Sequence, residues 1–169
     1  KLISYSIWGA DPKYTVGALK NAALARSVFP GWVCRFYIAS DTPRHTIEAL
    51  AGCDNTEIVE IHQPGGWMAS FWRFLPASDE HVEIMISRDT DSRLGLREKA
   101  AVDEWLAGDK DFHVMRDHPW HSRWPILAGT WGIRNGLLRN MDTLIDTYAG
   151  CYGDYVWGVD QRFLADIVH

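Results

Sequence analysis

Short apolar runs alternate along this chain with stretches of helical spacing, and cap or breaker residues separate them. Leu2 to Trp8 reads as a buried strand. Asp11-Pro12 then supplies an N-cap acid and a proline suited to the first helical position. The helix predicted there carries Val16, Leu19, Ala23 and Val28 at helical spacing and stops at Pro30-Gly31. Val33 to Ala39 is a second strand, Thr42-Pro43 repeats the cap signal for a shorter helix ending near Gly52, and Glu57 to Ile61 is a third strand. The aromatic run Met68 to Leu75 is expected to be helical. Val82 to Ser87 reads as a strand, followed by a helix from Arg97 to Ala107 with Ala101, Val102, Trp105 and Leu106 facing inward. Phe112 to Met115 and Ile126 to Ile133 are further strands, and Leu137 to Tyr148 and Val159 to Val168 the last helices.

Strands alternating with helices predict an α/β fold: a Rossmann-like, mostly parallel sheet with helices on both faces. With 169 residues and no repeat, linker or low-complexity tract, residues 1–169 are expected to form a single domain. The chain begins at Lys1 rather than Met and stops on His169 after a helical pattern, so it is expected to be a fragment of a longer one. No apolar stretch reaches membrane-spanning length, which predicts no transmembrane segment. The net charge of −5 is made of interspersed acids and bases, with no basic stripe for nucleic acid. Cys34, Cys53 and Cys151 are scattered and odd in number. They fit neither a disulfide framework nor a zinc site, are expected to pack as small hydrophobes, and point to a reducing, cytoplasmic setting. Nine tryptophans allow sugar stacking but serve equally as core residues.

Asp89-Thr90-Asp91 changes the picture most. It follows Val82 to Ser87 directly, so two carboxylates one residue apart stand at the end of a buried strand. In such sheets ligands bind at the carboxyl ends of strands, near a switch in strand order. Placed there, paired carboxylates need a cation, an arginine or several donors to stay ionised. A hard divalent cation, Mn²⁺ or Mg²⁺, bridging to nucleotide phosphates is the chemistry that suits Asp89 and Asp91. The competing reading is a solvated acidic turn flanked by Arg88 and Arg93.

The order of four short motifs resembles that of nucleotide-sugar glycosyltransferases of the GT-A fold, most closely the family 8-like, retaining-type group. They are Arg73 in Phe71-Trp72-Arg73-Phe74-Leu75, then Asp89-Thr90-Asp91, Leu127-Ala128-Gly129 and Asp160-Gln161-Arg162-Phe163-Leu164. Leu127 stands where that family has Asn, and the family's third metal ligand is a His further downstream than His169. The resemblance implies a GT-A domain and a metal-dependent hexosyl transfer. The donor would be a UDP- or GDP-linked sugar, and the acceptor a glycan, a lipid-linked molecule or another hydroxyl compound.

It also implies roles. Arg73 would reach the donor phosphates or sugar, or pair with an aspartate. Asp160 and Gln161 would contact the reacting sugar, although Asp160 would serve equally well as a helix cap. Ser6, Trp8 and Tyr14 occupy the place where the nucleotide base is held, and Gly129 lies on the strand facing the donor. Arg116-Asp117-His118-Pro119-Trp120-His121 is the densest polar cluster, on the rim expected to carry the acidic pair. Within it, Asp117 or His118 could take an acceptor proton, and His118 with His121 could ligate a metal; a plain proline-fixed turn is the alternative.

Rival readings are a nucleotidyltransferase, a DxD phosphatase, and a carbohydrate-binding or catalytically degenerate transferase-like domain. The first wants a glycine-rich, lysine-bearing loop after the first strand, which Gly9-Ala10-Asp11-Pro12 does not supply. The second wants its aspartates on the first strand.

Overall fold

The computed structural model describes residues 1–151 and 158–169. Among them six strands form one sheet: β1 (Leu2–Ile7), β2 (Val33–Ala39), β3 (Thr56–Ile61), β4 (Ile84–Arg88), β5 (Phe112–Val114) and β6 (Thr130–Arg134). The strand order is β3-β2-β1-β4-β6-β5, with β1 to β4 mutually parallel. β6 runs antiparallel to both β4 and β5. The fold class is the expected α/β one, with the qualification that one reversed strand makes the sheet mixed.

Every residue of β1 is buried, as an inner parallel strand covered on both faces should be. Its alternation assigns the two faces. Ile3, Tyr5 and Ile7 join Ile84 and Ile86 in a core under α1 (Pro12–Val28), α2 (Arg44–Ala51) and α3 (Leu96–Ala107). Leu2 and Met85 face the opposite core. There Phe71, Phe74, Trp131 and Phe163 meet beneath the segment Trp67–Ser78, α4 (Met141–Gly150) and α5 (Val159–Phe163). Phe74 and Phe163 stack with ring centroids 6.1 Å apart, and Phe71 meets Phe163 edge-on at 5.5 Å.

Several local expectations are corrected. Of the residues expected on the inward face of α1, Val28 is buried and Leu19 packs against the core, while Val16 and Ala23 are exposed; Thr15, Ala18, Ala22 and Ala25 make up much of the rest of the buried face, and these small side chains let the helix lie close to the sheet. Met68 to Leu75 is helical as expected, in the tighter 3₁₀ form, within Trp67–Ser78. Thr42 does not cap α2; Pro43 occupies the cap position, without a side-chain bond. The last helix is α-helical only over Val159–Phe163 and ends in a π-helical turn, Leu164–Val168. Asp11 does cap α1, accepting from the Lys13 N–H at 2.8 Å. Cys34 is buried, but Cys53 is half-buried and Cys151 exposed, so only the first packs fully as a hydrophobe. Among the described residues no helix is long and apolar enough to cross a membrane.

His113 on the edge strand β5 is buried, its ring 5.4 Å from that of Trp105. Burial and then the nearby Arg88 charge push its pKa down to about 4. The unfolded imidazole titrates near ~6.5. The unfolded chain therefore binds the extra proton first, and stability falls as pH drops through this window. Urea melts are expected to lose on the order of 2 to 3 kcal/mol from this group across the window. The His113→Phe variant should lack that share of the slope.

Candidate active site

β1 and β4 are neighbours at the point where the strand order reverses, so the ends of both border the crevice of such a sheet. Asp89-Thr90-Asp91 forms the turn that leaves β4. Thr90 is buried and its carbonyl accepts from Arg93 Nη1 at 2.9 Å and from Asn21 Nδ2 at 3.4 Å. Gly17 of α1 passes beneath, where a Cβ would stand 2.1 Å from the Thr90 oxygen. With Thr90 turned inward, Asp89 and Asp91 turn the other way, since alternate side chains share a side.

Arg88, expected as a flanking charge, is buried instead. Its Nε donates to Glu98, and Nη1 donates to the carbonyls of Ser87 at 2.7 Å and Trp131 at 3.2 Å. It anchors the turn to α3 and β6 and does not touch the two aspartates.

Arg73 organises the site. Its guanidinium is buried; Nη1 donates to Asp89 Oδ1, and Nη2 to Asp160 Oδ2 at 2.9 Å. Burial works against the charge, but Asp89 and Asp160 outweigh it and raise the guanidinium pKa further. The Arg73 main-chain N–H donates to Ser6 Oγ at 3.0 Å, so Ser6 supports this arginine from β1. Asp91 pairs with Lys13 Nζ at 2.7 Å. A Cβ at Gly129 would lie 1.9 Å from Asp89 Oδ2, so only glycine leaves that carboxylate its position.

A cavity of about 660 Å³ opens over these groups. Trp8 and Tyr14, stacked with centroids 6.4 Å apart, line it. Asp89, Asp91, Arg73, Leu127, Asp160 and Gln161 line it as well. Gly158 rather than Asp160 holds the N-cap position of α5. Asp160 Oδ1 accepts from the Gln161 N–H at 2.9 Å, and Gln161 Oε1 accepts from the Ala128 N–H at 2.9 Å. Trp120 and Arg123 complete the rim, the guanidinium 3.5 Å from the ring centroid.

A second, smaller cavity of about 230 Å³ lies against Asp89 and Gly129 and includes Asp117 and His121. Here His121 Nδ1 is 2.7 Å from Asp117 Oδ1. His118 is used otherwise: its Nδ1 accepts from the Trp120 N–H at 3.2 Å and caps the short 3₁₀ turn Pro119–Arg123. Sequence reasoning paired His118 with Asp117 as alternatives for proton transfer and gave His121 only a metal role. The spacing of Asp117 and His121 around a proline-led helical turn was the signal that pairs them. Lys13 was missed altogether, although it follows the Asp11-Pro12 cap on the same rim.

Asp89 and Asp91 offer hard oxygen donors to the larger cavity, which suits an octahedral divalent cation completed by phosphate oxygens and water. No group of three or more candidate ligand side chains occurs among the described residues, so such an ion would depend on its ligand's oxygens.

No protein-family model and no curated protein matches this chain. Solved structures do. A mannosyltransferase from Pyrobaculum calidifontis, in complex with GDP-mannose and Mn²⁺, superposes with a TM-score of 0.58 at 13% identity, over 95% of this chain and 49% of its own. The fold is GT-A-like. A 4-diphosphocytidyl-2C-methyl-D-erythritol synthase from Anaerococcus prevotii superposes with a TM-score of 0.52 at 14% identity, over 97% of this chain and 81% of its own. The chain thus spans about half the length of the mannosyltransferase.

Two substitutions test the site's construction. Arg73→Met leaves Asp160 without its cation and is expected to cost about 3 kcal/mol or more in urea unfolding. Gly129→Ala would push the Asp89 carboxylate off the buried Arg73 guanidinium, so it is expected to destabilise the fold by about 1 to 3 kcal/mol in the same measurement. Any effect on ligand stabilisation should then resemble that of Asp89→Asn in the same thermal-shift assay.

Proposed function

We propose that this protein is a glycosyltransferase that moves a sugar from a nucleotide-diphosphate donor to a hydroxyl acceptor, with Mn²⁺ or Mg²⁺ at Asp89 and Asp91. One observation carries the reading. Two carboxylates at the end of β4 line one cavity together with a stacked aromatic pair and an arginine-tethered Asp160.

When bound, the cation would neutralise charge developing on the leaving diphosphate. The partly exposed Trp8–Tyr14 pair would offer an aromatic surface to the nucleotide base. Lys13 adds a positive charge beside the acids. Arg73 fixes Asp89 and Asp160 relative to each other, so that neither carboxylate reorients when the donor arrives. Asp160 then lies where its negative charge stabilises positive charge at the anomeric carbon. The Ala128 N–H orients Gln161 for a sugar hydroxyl. Arg73, the acidic turn, Ala128-Gly129 and Asp160-Gln161 follow the motif order of the family 8-like enzymes. Leu127 would replace an amide contact to the sugar with an apolar one.

The second structural match keeps a nucleotidyltransferase in view, but the connection after β1 argues against it. Asp11 caps α1 at once, and Lys13 is engaged by Asp91, so no glycine-rich loop is left to cradle a triphosphate.

A thermal-shift panel of UDP-glucose, UDP-galactose and GDP-mannose, each with and without Mn²⁺, tests the reading. One donor should stabilise the chain by about 2.7 kcal/mol at a hundredfold excess over its Kd, and only with the metal. Asp91→Asn should abolish the metal dependence. A panel in which no donor stabilises the protein would sink the proposal.

A further inference from the structure

We infer that His121, oriented by Asp117, is the general base that takes the proton from the acceptor hydroxyl; this rests on the transfer reading above. The Asp117 carboxylate sits 2.7 Å from His121 Nδ1, which places the ring proton on Nδ1 and leaves the Nε2 lone pair for a substrate. Arg97 holds Asp117 in turn, with Nη1 3.5 Å from Oδ2 and Nη2 donating to the Asp117 carbonyl at 3.1 Å. Partial burial works against the Asp117 charge, yet the His121 ring, a backbone N–H and Arg97 hold its carboxyl below the ordinary range. An ionised Asp117 therefore stands ready to compensate an imidazolium.

Elimination supports the choice. Around the two cavities Asp89 and Asp160 are committed to Arg73, Asp91 to Lys13 and Glu98 to Arg88. His118 Nδ1 accepts a backbone N–H, and Asp117 is committed to His121 and Arg97. The second oxygens of Asp89 and Asp91 are the ones the cation would take, and among the described residues His121 Nε2 is the imidazole nitrogen bordering either cavity that has no hydrogen-bond partner.

Position agrees with chemistry. Pro119–Arg123 lies between the cavities, giving Trp120 and Arg123 to the larger one and His121 to the smaller, with Asp89 lining both. An acceptor entering from the smaller cavity approaches the donor from across Asp89. Its O–H proton passes to His121 Nε2 while its oxygen bonds to the anomeric carbon. The bond from that carbon to the diphosphate oxygen breaks, and the electron pair leaves with the diphosphate.

Hydrolysis of the stabilising donor, with water as acceptor, provides the assay on the full chain. His121→Gln is expected to lower kcat by about 10²- to 10⁴-fold while leaving donor stabilisation unchanged. The acidic limb of the wild-type pH–rate profile should vanish with it. That limb is read against the groups facing the ring: Asp117, His118 and Arg97 beside it, and Asp89, Arg93 and Glu98 across the cavity. His121→Gly should recover turnover with added imidazole, and Asp117→Asn should show an intermediate loss. Wild-type turnover in His121→Gln, or no imidazole rescue, would overturn the assignment. A wild-type protein that no donor stabilises would instead overturn the transfer reading.

Discussion

The buried guanidinium of Arg73 is the interaction on which the rest of this site depends. A cation removed from water is tolerable only where carboxylates replace its hydration, and here two must reach it together. One stands at the end of β4 and the other at the start of α5, far apart in the chain, while the arginine's own backbone N–H is tied to Ser6 of β1. The aromatic segment that carries Arg73 is pinned by Phe71 and Phe74 against Phe163, three residues beyond Asp160. Hydrophobic packing and ion pairing therefore enforce the same juxtaposition. Forming the second core and assembling the polar centre are one event.

Close backbone approaches complete that geometry. Gly17 lets α1 slide under the Thr90 carbonyl, and Gly129 clears space for the Asp89 carboxylate. Neither glycine sits in a left-handed conformation; each is required by proximity alone. With Arg88 bolting the same turn to α3 and β6, the acidic pair is held from below by packing and from the side by charge. Such rigidity keeps both carboxylates in place without reorganisation.

Much of this was legible from the residues. The alternation of strands and helices gave the fold class, and the apolar run before Asp89-Thr90-Asp91 placed that turn at a strand end, where it borders the larger cavity. What escaped is instructive. Much of the inward face of α1 is built from alanines and Thr15, whose burial depends on how near the helix lies to the sheet, and spacing of large apolar residues cannot report that. The reversal of β6 is a tertiary choice that a strand-like run of residues does not encode. His118 and His121 are chemically identical in sequence, and only the turn at Pro119 decides that one caps a helix while the other faces Asp117. Arg88 and Arg73 likewise look alike as charges beside aromatic or acidic residues, yet one anchors the scaffold and the other bridges the site.

The reversed strand has an architectural consequence. Because β6 runs against β4, its beginning rather than its end lies on the rim where β4 and β5 finish. The whole connection of residues 115–129 therefore leaves the sheet and returns to it at the same edge, never crossing to the far side. Its outer part, residues 116–125, could therefore change in length and composition without altering the order or register of any strand, while Ala128 and Gly129 stay fixed by Gln161 and Asp89. The surface beside the acidic turn could in this way be rebuilt while the turn itself is kept.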